Sequence, residues 1–401
     1  MQSYLWLLPF IACVNCVPFD LLKKEYLDYN YLEVGFIDLD PFAQTWVSVK
    51  TTTNLTGEPI VFISIPDVAA ILNAPWYTGD STLGIPPIVP KLRDQPTRNA
   101  DGTYSFEFNL RTVNDSFCNS EWWVPIEVPA GVASLTVSWL VARRGVYSLV
   151  TNYTDETFNT NVVIDYGNIT RASAAPQATN DNGNAIQFEY PTGCVDPSLV
   201  CTVMAAEDIP GFSRDPGSIQ QLQTSNNEVD GQSMFLSVRA WQVKKRSIWL
   251  VLVPHDSVDP AYFEITTPEI IGFMVFPVGQ RVVCTEGFAF ETMTFNNVTH
   301  IPIPLDFRFT YDYAPGVFGM LGSVFSMVDS TTLSVYDRTA TSAIFVTKED
   351  QCVSEQVIHT TPEIVHVLIF GEVTNSDVVP QNCSASFTPP NQCLTVEVWK
   401  Y

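Results

Sequence analysis

Hydrolytic chemistry needs a nucleophile and a base that can take its proton, and a few stretches of this 401-residue chain offer such types. Gly79-Asp80-Ser81 sets a serine behind a small turn. A serine of this kind has to follow a buried strand and find its base in a downstream Asp-x-x-His. Trp76-Tyr77-Thr78 precedes it instead, and neither Asp-x-x-His nor Gly-x-Ser-x-Gly occurs anywhere. A Gly-Asp-Ser surface turn is the plainer reading. The four histidines are His255, His300, His359 and His366, with no His-x-His or His-x-x-x-His pair to hold zinc. Pro254-His255-Asp256 could join a base to its orienting carboxylate, although a loop contact with no function is the plainer reading. His366 lies between Val365 and Val367 and is predicted to face outward from a strand. No catalytic residue, cofactor or metal site is therefore expected. Two clusters suit binding better. Lys244-Lys245-Arg246 could touch phosphates or acidic lipids, or simply form a charged hairpin tip. Of Trp122-Trp123, adjacent on one strand, only one can enter a one-sided core.

The elements that would carry these residues read as strands. Thr45 to Lys50 alternates polar and apolar, as does Thr103 to Phe108 after an Asp101-Gly102 turn signal. Ile60 to Ile65 is a short apolar run ending at Pro66. Twenty-eight prolines and 20 glycines cut the chain into short pieces. Helix signals are confined to Asp20–Asp28 and to Val68–Leu72, the latter capped by Asp67 and stopped by Pro75. A strand, polar turn, strand pattern recurs from Leu135, Leu236 and Leu333, about 100 residues apart, the size of one β-sandwich. The expected fold is all-β: tandem antiparallel sandwiches with less than about 15% helix. Residues 17–170, 186–268 and 272–401 form the segments, with a small polar linker over 171–185.

Composition points to the compartment. Residues 1–16 read as a signal peptide built on the apolar run Leu5 to Ala12, although no Lys or Arg precedes it. No other stretch is apolar long enough to span a bilayer, and no GPI-type tail is seen, so release without a transmembrane anchor is expected. Sequons occur at Asn54, Asn114, Asn152, Asn168, Asn297 and Asn382. Beyond the leader stand seven of the nine cysteines, with no Cys-x-x-Cys, and in a secreted chain they read as disulfides. Sequence neighbours suggest Cys194–Cys201, Cys284–Cys352 and Cys383–Cys393, leaving Cys118; four cysteines in the last segment allow three pairings. The net charge of −23, from 43 acidic and 20 basic residues, repels phosphate backbones, so nucleic acid is not expected as a partner near neutral pH.

Ile186 to Asp256 resembles the second extracellular domain of the SID transmembrane family, the systemic RNA-interference channel-like proteins. The resemblance is carried by Phe188-Glu189-Tyr190-Pro191-Thr192-Gly193 and by the stretch from Cys201 to Asp208. Phe235-Leu236-Ser237-Val238, the basic turn, and Ile248 to Asp256 complete it. It implies tandem sandwiches and extracellular association with RNA or lipid. The family's membrane helices have no counterpart here, so none of its membrane-embedded residues is carried over, and the acidic charge opposes RNA. A CUB-like sandwich is a competing match for the third segment.

The function expected from all this is a secreted, non-enzymatic binding or adhesion glycoprotein with an extracellular protein, glycan or lipid ligand. A secreted hydrolase using Ser81 or His255 and a structural matrix protein are the alternatives.

Overall fold

A computed structural model describes residues 32–39, 46–52, 54–55, 59–64, 67, 88–113, 122–125, 135–153, 156–169, 186–189, 216–224, 228–229, 232–234, 236–244, 247–254, 268–279, 281–283, 288–322, 331–349, 362–374 and 385–388. These residues are 71% strand and contain no helix, so the chain is all-β and antiparallel. The two helices predicted from sequence and the 171–185 linker lie outside them.

The first strands are β1 (Leu32–Leu39), β2 (Val47–Lys50), β3 (Pro59–Ile63), β4 (Ile88–Leu92), β5 (Thr97–Arg98), β6 (Tyr104–Val113), β7 (Trp122–Pro125), β8 (Leu135–Arg143), β9 (Gly145–Tyr153) and β10 (Glu156–Ile169). Then come β11 (Ile186–Glu189), β12 (Pro216–Leu222), β13 (Glu228–Val229), β14 (Gln232–Met234), β15 (Leu236–Val243), β16 (Ser247–Pro254) and β17 (Glu269–Pro277). The rest are β18 (Arg281–Val283), β19 (Phe288–Val298), β20 (Ile303–Asp306), β21 (Gly316–Leu321), β22 (Thr331–Tyr336), β23 (Ser342–Glu349), β24 (Glu363–Glu372) and β25 (Ala385–Thr388).

Alternation behaves as expected in the first part. Tyr104, Phe106, Phe108 and Leu110 of β6 are buried while Ser105 and Glu107 between them reach solvent. Their partners in β2 match in register, Val49 inward and Ser48 and Lys50 outward. The Asp101-Gly102 turn forms as well. Gly102 takes φ 86, a left-handed conformation in which a Cβ would be strained, and Asp101 accepts from the Thr103 N–H at 3.1 Å and its hydroxyl at 2.6 Å.

Among the described residues three cores organise the sheets. The sheet β1-β8-β3 faces the sheet β13-β14-β7-β6-β2, to which β4 and β5 add on β6, around Phe106, Phe108, Trp139 and Leu92. The sheet β18-β19-β24-β21 faces the sheet β20-β23-β22 around Phe309, Phe345, Val367 and Ile369. A third core lies between these pairs and the sheet β12-β17-β10-β9-β25, with Phe62, Leu140, Met274, Phe276, Phe318 and Phe370. Strands β3, β8 and β24 therefore bury both faces, and so the runs Pro59–Ile63 and Glu363–Glu372 are apolar on both parities.

Two findings depart from the sequence reading. The sheet β12-β17-β10-β9-β25 draws strands from all three predicted segments, so in that sheet the segments are joined by backbone pairing. The recurring hairpin pattern holds for β15–β16 and β22–β23, which pair directly. Its first copy is no hairpin. β8 pairs β1 and β3, whereas β9 pairs β10 and β25. The chain leaves one sheet for another at Arg144, whose guanidinium is anchored by the buried Asp165 of β10. A basic turn that looks like a solvated hairpin tip is here an ion-paired crossing.

Candidate functional site

The outer face of the sheet around β6 gathers charged, polar and aromatic side chains. β2 and the extension that follows β4 bring Trp46 and Arg93 together, with the guanidinium 5.9 Å from the ring centroid. Arg93 also donates to Glu107 of β6 at 2.7 Å, and its backbone N–H bonds to the Glu107 carbonyl at 2.9 Å. On β2, beside β6, Lys50 pairs with Asp101 at 2.7 Å. That bond, with those from Thr103, holds the Asp101 carboxyl well below the usual carboxylate range. Asn99 ties the turn down through Thr103 and Ser105. The result is an ion-paired polar face that includes a half-buried indole. It offers hydrogen-bond donors, acceptors and an aromatic plane, which suits binding. Arg93–Glu107 and Lys50–Asp101 are the two ion pairs described on this face.

Other predicted residues fall as follows. Ser81, His255, His359, Lys245, Arg246, Asn114, Asn382 and all of the cysteines, including Cys118, Cys194, Cys201, Cys284, Cys352, Cys383 and Cys393, lie outside the described residues. Among those that are described, no group of three His, Cys, Asp or Glu is placed to hold a metal. Asn54 and Asn297 are exposed. Asn297 has φ 66 at the bulge where the β19–β24 register slips. Asn152 lies in β9 opposite Thr157, and Asn168 in β10 opposite Ile270. Lys244 closes the β15–β16 turn by donating its N–H to the Ser247 carbonyl, and its ammonium stands 6.0 Å over Trp249. Register sets Trp123 opposite Ser233 and Val113, and Trp122 opposite Met234. His300 is half-buried in the loop after β19.

His366 does not face outward. It is 6% exposed, because β24 is covered on both faces and a side chain at either parity enters a core. Burial pushes its pKa down to about 4. The signal was present in Val-His-Val-Leu-Ile-Phe, which is apolar at both parities rather than one.

Sequence reasoning also missed a set of buried polar links. Glu33 of β1 accepts from the Thr52 N–H at 2.8 Å. Arg239 of β15 stands 4.0 Å from Glu363 of β24, both almost fully buried. Glu291 of β19 accepts from the Tyr311 hydroxyl at 3.0 Å and the Arg308 N–H at 2.9 Å, and burial raises its pKa. All join residues from different strands or loops, and single-chain spacing carries no trace of them.

No protein-family model, no curated protein and no solved structure matches this chain.

Proposed function

We propose that this chain is a secreted, N-glycosylated, disulfide-bonded binding protein without an active site, engaging an extracellular protein, glycan or lipid through exposed sheet faces and turns. The observation that carries the reading is the Trp46–Arg93–Glu107 face, a polar, ion-paired sheet surface with an aromatic plane. The leader-like apolar run and the six sequons support the secretory route, and Asn297 is exposed. The segment that resembles SID-type ectodomains contributes the three-stranded sheet β11-β16-β15. Nucleic acid is not proposed as the ligand near neutral pH, since the net charge is −23.

The test is binding of labelled protein, produced in a eukaryotic secretory host, to a glycan array, lipid vesicles and cell-surface proteins. A Trp46→Ala/Arg93→Ala variant that keeps the wild-type circular dichroism should lose at least tenfold in affinity for whichever target binds. Undiminished binding by that variant contradicts the assignment of this face.

A further inference from the structure

Among the described residues β12 ends its sheet, and no described strand receives the outward N–H of Ser218. The acceptor it finds is a side chain of another sheet. His366 of β24 takes that hydrogen through Nδ1 at 3.1 Å. With Nδ1 accepting, the neutral ring carries its own proton on Nε2. The ring lies in a slot cut by two glycines. A Cβ on Gly322 would come within 2.2 Å of its Cε1, and one on Gly217 within 3.4 Å of its Cγ. Within its own sheet His366 stands opposite Thr294 of β19 and Met320 of β21. None of Gly217, Ser218, Thr294, Met320 and Gly322 carries a titratable side chain. The nearest acidic residue on β24, Glu363, is matched with Arg239.

We propose that His366 is an acid-operated latch, which holds β12 against β24 while neutral and releases that seam when protonated. The second proton can only go to Nδ1, the atom that accepts from Ser218. Imidazolium has no lone pair there, so two N–H groups would then oppose each other across 3.1 Å. The charge would also sit without a described counter-ion in a slot lined by glycine, a hydroxyl residue and a thioether. The packed state is thereby biased against the protonated ring, which is what a mildly acidic stimulus needs to act on. The sign follows from a folded pKa of about 4 against an ordinary 6.5. The seam is fully held above about 6.5, weakens as pH falls below that, and reaches its limit near 4. At pH 5 the closed-to-open ratio falls roughly thirty-fold relative to pH 7.5.

Hydrogen exchange of the whole chain between pH 7.5 and 5, corrected for the intrinsic pH dependence of exchange, tests this at one amide. Ser218 should lose roughly thirty-fold in protection, while Phe106, in the separate core around β6, keeps its own. His366→Asn preserves an acceptor for Ser218 but cannot titrate, and in that variant Ser218 should hold its protection across the range. The proposal is overturned if Ser218 in the unaltered protein stays protected to pH 5, if Ser218 and Phe106 fade together, or if the Asn variant loses protection as the unaltered protein does. Should the variant not fold, the comparison of Ser218 with Phe106 in the unaltered chain decides alone.

Discussion

Glu291 shows what a single buried carboxylate requires. Its two oxygens are met by the Tyr311 hydroxyl and the Arg308 N–H, and those donors fix the segment after β20, where Phe307, Phe309 and Tyr311 turn inward. Arg281 covers the outside, 4.3 Å over Phe309, and donates to the Arg308 carbonyl. Burial raises the Glu291 pKa while the two donors oppose the rise. Tyr311→Phe takes away one donor, so the carboxylate is held less well and its pKa climbs further. The expected loss is about 2 kcal/mol at neutral pH, measured as a shift in denaturant midpoint. A raised folded pKa means that protonation favours the fold, with the contribution present below the unfolded pKa and lost as pH rises through the folded one. The deficit of the variant should therefore shrink on acidification. A deficit that is constant from pH 7 to pH 4 would show that Glu291 is not the partner that matters. At this scale the sequence was legible in Gly102, where Asp-Gly announced the turn, and opaque in Glu291, whose partners lie 17 and 20 residues away.

Edge strands are closed by side chains as well as by backbone. Gln223, just after β12, accepts from the Val61 N–H at 3.0 Å and donates to the Val61 carbonyl at 2.8 Å. Its amide thus copies a peptide group and completes β3 as another strand would. Gly272 of β17 makes the approach feasible, since a Cβ there would meet Gln223 Nε2 at 2.7 Å and Ile60 Cγ2 at 2.3 Å. Gln223→Leu leaves both polar groups of Val61 buried and unmatched, at roughly 1–3 kcal/mol each. The expected result is a lowered denaturant midpoint together with faster exchange of the Val61 amide. An unchanged Val61 amide would contradict the bridging role. Alternation announced β2 and β6 because each has one wet face. It misjudged β24, where both faces are dry, and the β8 to β9 crossing, because sheet membership is settled by contacts remote in sequence.

At the scale of the molecule, strands from the start, middle and end of the chain meet in the sheet β12-β17-β10-β9-β25, and among the described residues three cores lie between sheets. The all-β class was readable from period-two patterning and from prolines and glycines spaced through the chain. The sharing of one sheet among distant segments was not, since pairing partners leave no periodic mark. The account of the chain as an extracellular binding protein depends on the route it takes. That route is tested most directly by mass spectrometry of the chain made in a eukaryotic secretory host. The account predicts protein in the medium, glycan on Asn297 that a glycosidase removes, and cysteines joined in disulfides. Protein kept in the cytosol with bare asparagines and free thiols would contradict it.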